Sequence, residues 1–339
     1  MTVSIRDVAD AAGVSVGTVS NVLNKPDSVS TATAQRVRLA IQSLDYVRND
    51  AARQLRAGRS RSIGLLVRDV RNPFFTDVSR GAETVAAAAG LTILLADLDE
   101  SPAREAAYLE LFEEQRVLGV LISPVGDALA SLPQLRARGM PVVLVDEMST
   151  EPTLSSVAVD DVAGGYLAVR HLADLGRQRI AFVGGPHTIR QVMDRLTGAR
   201  RAAAEGSAIT LSTIPTEALT VLAGRRAGEL IQNMPTASRP DAVFAANDLV
   251  AMGILQAFTM LGDVSVPGDI ALIGYDDIDF AAAAVVPLSS IRQPSTALGE
   301  TAMAMLLRQS KAGADHPAEN VLFQPQLVVR DSTAGSRAS

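Results

Sequence analysis

The chain contains no cysteine, which excludes disulfides, thiolate zinc sites and cysteine nucleophiles and fits a reducing compartment. Histidine is scarce as well. His171, His187 and His316 are the only imidazoles, and they lie far apart in no metal-ligand spacing, so neither a metal site nor a histidine base is expected. No apolar run approaches the roughly 18 residues of a membrane span, and no basic segment followed by an apolar one opens the chain. There is no P-loop, no G-x-S-x-G and no G-x-G-x-x-G after a strand; "FVGGPH" has two glycines but lacks the rest of a dinucleotide signature. The acidic clusters "DLDE" and "YDDIDF" lack calcium-loop spacing and read as solvated loops. These absences together predict a non-enzymatic cytoplasmic protein with no cofactor and no metal.

What is present is an ordinary globular composition, 339 residues with 47% hydrophobic and 20% charged, long enough for two or three domains. The charge is unevenly spread. The net value is -6, yet residues 1–61 hold nine Lys/Arg against five Asp, or +4, which leaves -10 for the remainder. A basic head on an acidic body suggests that only the head meets a polyanion.

The head opens with "SIRDVADAAGVSVGTVSNVLN". Ser4 with Asp7 fits a capping box, and Ile5, Val8, Ala9 and Ala12 share one helical face, predicting a helix over 5–12. Gly13 permits a sharp turn, and Ser15 can cap a second helix over 16–23. In that helix Val19, Val22 and Leu23 face inward, leaving Val16, Gly17, Thr18, Ser20 and Asn21 outward. Two helices this short need a third, supplied by residues 31–44 behind a Ser30 cap, with Ala34, Val37, Ala40, Ile41 and Leu44 inside. Such a unit sets the start of its second helix into a DNA major groove. The "YVRNDAARQLRAGRSRS" that follows reads as a linker.

From Ser62 the periodicity changes. "IGLLV", "LTILLA", "GVLIS", "PVVLVD", "IAFVGG", "AVFAA" and "IALIGY" lack alternation, as parallel strands covered on both faces do, and helical stretches lie between them. The expectation is two doubly wound lobes, divided near Asp161, with a ligand at the carboxyl ends of the strands. Asp146, Asn247, Asp248 and Asp276 follow such strands, and Arg195 begins the helix after "FVGGPH". Carboxylates, an amide and a guanidinium converging on a cleft suit vicinal hydroxyls. Capping of the next helix is the competing role, above all for Asp248.

Several blocks, in order, carry a resemblance: "RDVADAAGVSVGTVSNVLN", "VRLAIQSLDYVRNDAARQLRAGRSRSIGLLV", "IAFVGGP", "AVFAANDLVAMGIL", "VPGDIALIGYDDIDFA" and "PLSSIRQP". Together, over about residues 4–330, they resemble the lactose-repressor family of bacterial transcription regulators. The resemblance implies a small all-α helix-turn-helix head (1–47), a hinge helix and linker (48–61), and an α/β body (62–339) whose two doubly wound parallel-sheet lobes are of the periplasmic-binding-protein-like type. It implies operator reading by Val16, Gly17 and Asn21, with Ser4, Ser15, Thr18, Ser20, Asn24, Ser30 and Thr33 mostly holding phosphates. Tyr46, Asn49 and Ala52 join the DNA-binding set, and Leu55 becomes a minor-groove wedge. Val16 offers only methyl contact and Gly17 none, so hydrogen-bonded readout falls largely on Asn21. Effector contacts fall at Phe75, Asp146, Arg195, Leu219, Asn247 and Asp276; an aromatic ring is common at the Leu219 position, and its absence favours a sugar face over a stacked purine.

The implied function is a sequence-specific regulator, a repressor of carbohydrate-utilisation genes, acting as a homodimer on double-stranded operator DNA under a small sugar-like effector. The tail "DSTAGSRAS" has no apolar heptad, so no tetramer-forming coil is expected. The competing class is a sugar-binding protein for transport, which shares the two-lobed body but would need export and has no use for a basic head. A glycosidase would need a tuned carboxylate pair, which the sequence neither supports nor excludes.

Overall fold

Local signals in the head become structure almost residue by residue. A computed structural model describes residues 3–46, 60–126, 131–206, 209–312 and 316–334. The chain divides into two units, Met1–Arg59 and Ser60–Ser339, and each is described by itself.

In the first unit, α1 (Ile5–Ala12) starts at a complete capping box: Asp7 N donates to Ser4 Oγ, while Ser4 N donates to Asp7 Oδ2 at 2.7 Å. Gly13 ends it at φ 63°, the left-handed region where a side chain is costly. Ser15 and Ser30 accept from Thr18 N and Thr33 N at the starts of α2 (Val16–Asn24) and α3 (Thr31–Ser43). Each such cap contributes about 0.5–2 kcal/mol. The core is small: Val8, Ala9, Ala12, Val19, Val22, Ala34, Val37 and Ala40 are buried, with Leu23, Ile41, Leu44 and Tyr46 packed half-buried around them.

The second unit holds two six-stranded sheets. In lobe 1 the order is β11-β5-β4-β3-β1-β2, built from β1 (Ser62–Val67), β2 (Thr92–Asp97), β3 (Val120–Ile122), β4 (Val142–Val145), β5 (Ser155–Val159) and β11 (Asn320–Phe323). In lobe 2 it is β12-β10-β9-β8-β6-β7, from β6 (Arg179–Val183), β7 (Thr210–Ile214), β8 (Ala242–Ala245), β9 (Ala271–Asp276), β10 (Ser289–Arg292) and β12 (Gln326–Val328). All described pairings are parallel except β10 with β12. The central strands are buried throughout, as their apolar runs predict. The edge strand β2 is not: Leu95 is about half exposed, because only one neighbour and one face cover it.

One expectation is corrected. The chain does leave lobe 1 near Asp161, where α7 (Asp161–Asp174) joins the lobe 2 core. It then returns. The helix α12 (Ser295–Ala312) packs Leu298, Ala302, Met303 and Leu306 into the lobe 1 core, and β11 pairs with β5 before β12 rejoins lobe 2. The lobes are thus joined by three strands of chain rather than one, and the division is by pairing, not by sequence order.

The remaining helices cover the sheets. In lobe 1 these are α4 (Pro73–Ala88), α5 (Pro102–Glu114) and α6 (Leu132–Ala137); in lobe 2 they are α8 (Arg190–Glu205), α9 (Val221–Gln232), α10 (Asp248–Leu261), α11 (Asp279–Ala282) and the short α13 (Asp331–Ala334). The α7–α8 crossing brings backbone against backbone, since a Cβ on Gly165 would sit 1.9 Å from the Arg195 carbonyl and one on Gly198 1.9 Å from that of Val162. The α4–α12 crossing repeats the device with Gly81 and Gly299. Among the described residues no helix is long and apolar enough to cross a membrane.

Candidate functional site

Two surfaces carry the residues singled out in the sequence. On the head, the start of α2 presents Gly17 and Asn21 fully exposed, with Thr18 and Ser20 half-exposed. Val16 differs from expectation: it is half-buried and packs against the head core, which narrows the outward face. Asn21 is therefore the exposed amide on this face, and it retains both donor and acceptor capacity. Ser15 and Thr18 bond each other at 2.9 Å, Asn24 Nδ2 donates to Ser20 O at 2.9 Å, and Ser30 donates to Thr33 Oγ1 at 2.9 Å. Ser4, Ser15 and Ser30 thus gather at three helix N-termini, where backbone amides and the positive dipole end favour phosphate. Asn49, Ala52 and Leu55 lie outside the described residues.

The body's six candidates come together on one cavity of about 220 Å³ between the lobes. That is below the roughly 300–1,000 Å³ of common ligand pockets, which suits a small molecule. Lobe 1 brings Phe75, in the first turn of α4, and Asp146, at the end of β4; lobe 2 brings Arg195, Leu219, Asn247 and Asp276. Both aspartates sit at positive φ, 62° and 104°, a conformation tolerated by Asp but uncommon, of the kind that concentrates at binding sites.

Arg195 organises the lobe 2 wall. It lies in the second turn of α8 rather than at its start, because the helix begins at Arg190. Its Nε donates to Asp161 Oδ1 at 2.8 Å and its Nη1 to Ala246 O at 2.7 Å; Nη1 also lies 3.9 Å from Asp276 Oδ1. The guanidinium stacks 3.7 Å from the Tyr275 ring centroid. Burial alone would lower its pKa, but Asp161, Tyr275, Asp276 and Asp146 hold it above the ordinary arginine value. The carboxyls respond in the opposite sense. Burial raises Asp276, opposed by Arg195 and by hydrogen bonds from Asn72 and Gln293. Burial and the nearby Asp161 charge push Asp146 well above the usual carboxylate range.

Asn247 caps α10, accepting from Val250 N at 2.9 Å and donating to Leu219 O at 3.3 Å. Asp248 does not line the cavity. It is buried behind it, taking Ser290 Oγ at 2.7 Å and Ile278 N at 2.9 Å, so its role is to brace the turn after Asp276.

Three further side chains were not singled out in the sequence. Asn72 caps α4 through Phe74 N and reaches across the cleft to Asp276 Oδ2 at 3.0 Å. Gln191 of α8 donates to the Asp146 carbonyl at 2.5 Å, again across the lobes, and Gln293 donates to Asp276 Oδ1 at 2.8 Å. The Asn-Pro step at 72–73 is a legible helix start at a strand end. Gln191 has no local signal.

A two-lobed body with a ligand-sized cleft, preceded by a helix-turn-helix, defines an effector-responsive DNA-binding protein. The comparisons with known proteins make this specific. Residues 4–49 match the family described as "Bacterial regulatory proteins, lacI family", and residues 169–333 match a "Periplasmic binding protein-like domain". The HTH-type transcriptional repressor PurR of Photobacterium profundum is 34% identical over 332 residues, covering 97% of this chain and 98% of that one. A lac repressor dimer solved with operator and an anti-inducer superposes with a TM-score of 0.84 at 27% identity, over 98% of this chain and 100% of that one. A LacI family regulator of Enterococcus faecium with bound ribose gives 0.73 at 29% identity, over 81% and 100%. The chain belongs to the lacI family of bacterial regulatory proteins.

Proposed function

We propose that the protein is a homodimeric repressor of carbohydrate-utilisation genes, acting in the cytoplasm on a two-fold-symmetric operator and controlled by a small sugar-like effector in the interlobe cleft. The observation that carries the effector half is the convergence of Asp146, Arg195, Asn247 and Asp276 from both lobes on one cavity, with Phe75 and Leu219 as its apolar walls. Carboxyl, amide and guanidinium groups bind hydroxyls from several directions, while the apolar walls take the carbon face of a ring.

One head spans one half-site, so a symmetric operator requires two chains. In this reading residues 49–56, within the hinge and linker at 48–61, form a hinge helix on DNA: an isolated eight-residue helix is unstable in water and orders only when a partner hinge and DNA support it. Leu55 from each chain then wedges a central base step. An effector that touches both lobes shifts their relative position and with it the hinge; a hundredfold change in operator affinity corresponds to about 2.7 kcal/mol of coupling. No cofactor and no chemical step is involved.

The test is fluorescence anisotropy on an operator selected from random-sequence DNA. Removing residues 1–61 is expected to abolish DNA binding and leave effector affinity intact, whereas a transport protein or an enzyme would not lose a selected operator. Asp276→Asn is expected to abolish effector-dependent change in operator affinity; an unchanged response refutes the cleft assignment. Leu55→Ala binding and bending operator as the parent does removes the wedge.

A further inference from the structure

Every arginine on the cleft wall already has a partner. Arg68 spends all three nitrogens, with Nε and Nη2 on Glu100 at 3.1 and 2.7 Å and Nη1 on Pro124 O at 2.6 Å. Arg71 donates to Asp69 at 2.8 Å and to Asp99 at 2.7 Å, and Arg195 is held by Asp161 and Asp276. The lining carboxyls are matched in turn, apart from Glu217, which stands out in solvent 3.5 Å from Arg226, and Asp146, which burial drives toward its neutral form.

What is left without a partner is neutral or acceptor in character. Gln191 and Gln293 line the cavity, and the Oε1 of each is buried with no hydrogen-bond partner among the described residues. Buried acceptors in this state need a donor. Each hydroxyl of a sugar supplies one. The phosphate group of an ester, largely dianionic near pH 7, brings acceptors only, and an ammonium or carboxylate group would meet a wall whose buried charges are already paired. The facing apolar residues do not make a slot for a flat base: Phe74 and Phe75 are edge to face at 71°, and Leu219 is aliphatic.

We infer that the cleft takes an uncharged, polyhydroxylated ligand of monosaccharide size and discriminates against its phosphorylated, aminated and oxidised-acid derivatives and against nucleobases. Gln191 and Gln293 are the specificity-determining amides. This rests on the effector reading above and narrows it.

Calorimetric titration of the full chain tests it with neutral sugars and their charged relatives: ribose, ribose 5-phosphate, glucose, glucose 6-phosphate, glucosamine and glucuronate, galactose with galactosamine, and adenine and hypoxanthine. A neutral sugar should bind tightest, with its charged derivatives weaker by about 100-fold or more. Gln293→Leu should weaken that sugar about 5- to 10-fold. Glu100→Gln, which frees Arg68, should return about tenfold of affinity to the phosphate. A charged derivative or a base binding as tightly as any neutral sugar overturns the inference, as does a Glu100→Gln variant with undiminished discrimination. If glucose 6-phosphate binds and alters operator affinity, the selectivity falls while the effector role stands. If ribose binds and operator affinity stays fixed, the selectivity stands and the effector role falls.

Discussion

On the lobe 1 side of the cleft Arg71 stands in solvent, its side chain 64% exposed between Asp69 and Asp99, while Arg68 and Asp146 are buried. On the lobe 2 side the central cation is sealed, Arg195 being 5% exposed with Asp161 and Asp276 beside it. The two lobes share a strand order, so the difference lies in the strand-end residues and not in the scaffold. Lobe 2 is a rigid, pre-paired wall whose hydrogen bonds are set before any ligand arrives. Lobe 1 is a softer wall, joined to it by Asn72 from its own side and by Gln191 and Arg190 from lobe 2, the last donating to Met148 O at 3.0 Å. A ligand ordered by one wall and met by the other is how a small molecule biases a two-lobed body.

The sharpest contrast comes from removing the buried cation. Arg195→Met leaves Asp161 and Asp276 buried without their counter-charge, and a cost of about 3–5 kcal/mol is expected, read as a lower midpoint in urea unfolding of the body. A loss under 1 kcal/mol would make the two walls equivalent and break the comparison.

Lobe 1 also holds a sealed carboxyl away from the cleft. Glu105 on α5 is fully buried, accepts from Val125 N at 2.6 Å, and has Oε1 unpartnered. Burial raises its pKa from the ordinary 4.5 to about 7, against the pull of Val125 N and Arg68. The folded state therefore holds a proton that the unfolded chain releases. The stability this provides is complete below pH 4.5 and is lost as pH rises through about 7. The parent should lose up to about 3 kcal/mol over that window, and Glu105→Gln should flatten the dependence. An equally steep variant would place the titration elsewhere.

The intermediate case joins the walls. Asn72→Asp keeps the α4 cap but sets a second carboxylate against Asp276, where Asn72 Nδ2 now donates at 3.0 Å. A cost of about 1–2 kcal/mol at pH 7 is expected, smaller at pH 5, where one of the pair holds a proton. Equal stability at both pH values would mean that the cross-lobe bond contributes nothing.

These residues differ in how far the sequence exposes them. The head was legible because its signals are local: Ser4 with Asp7, Gly13, Ser15 and Ser30 each act within four residues. Asp146, Asn247 and Asp276 were legible because each directly follows an apolar run that forms a buried strand. Asp248 was not, since two adjacent polar residues can each cap a helix and only the chain's phase made Asn247 the cap and turned Asp248 inward to Ser290 and Ile278. Phe75 and Leu219 entered the site only through the family resemblance. The return of residues 295–323 to lobe 1 was hidden for a related reason: "NVLF" looks the same whichever sheet it joins, and only pairing with β5 decides. The short polar strands β5, β7 and β10 were missed because they carry no continuous apolar run.

The smallest expected effect closes the comparison from the exposed side. Arg71→Met removes two ion pairs, at 2.8 and 2.7 Å, where those of Arg195 are at 2.8 and 3.9 Å, so distance alone would assign them no less weight. Solvent decides otherwise: water and salt screen the pair, the side chain regains its freedom when released, and Asp69 and Asp99 are rehydrated without cost to the core. The change in unfolding free energy should stay within about 0.5–1 kcal/mol and shrink further at 0.5 M salt. If Arg71→Met instead matched Arg195→Met, burial would not be what separates the walls, and the rigid and soft lobes would have to be told apart by something other than solvent.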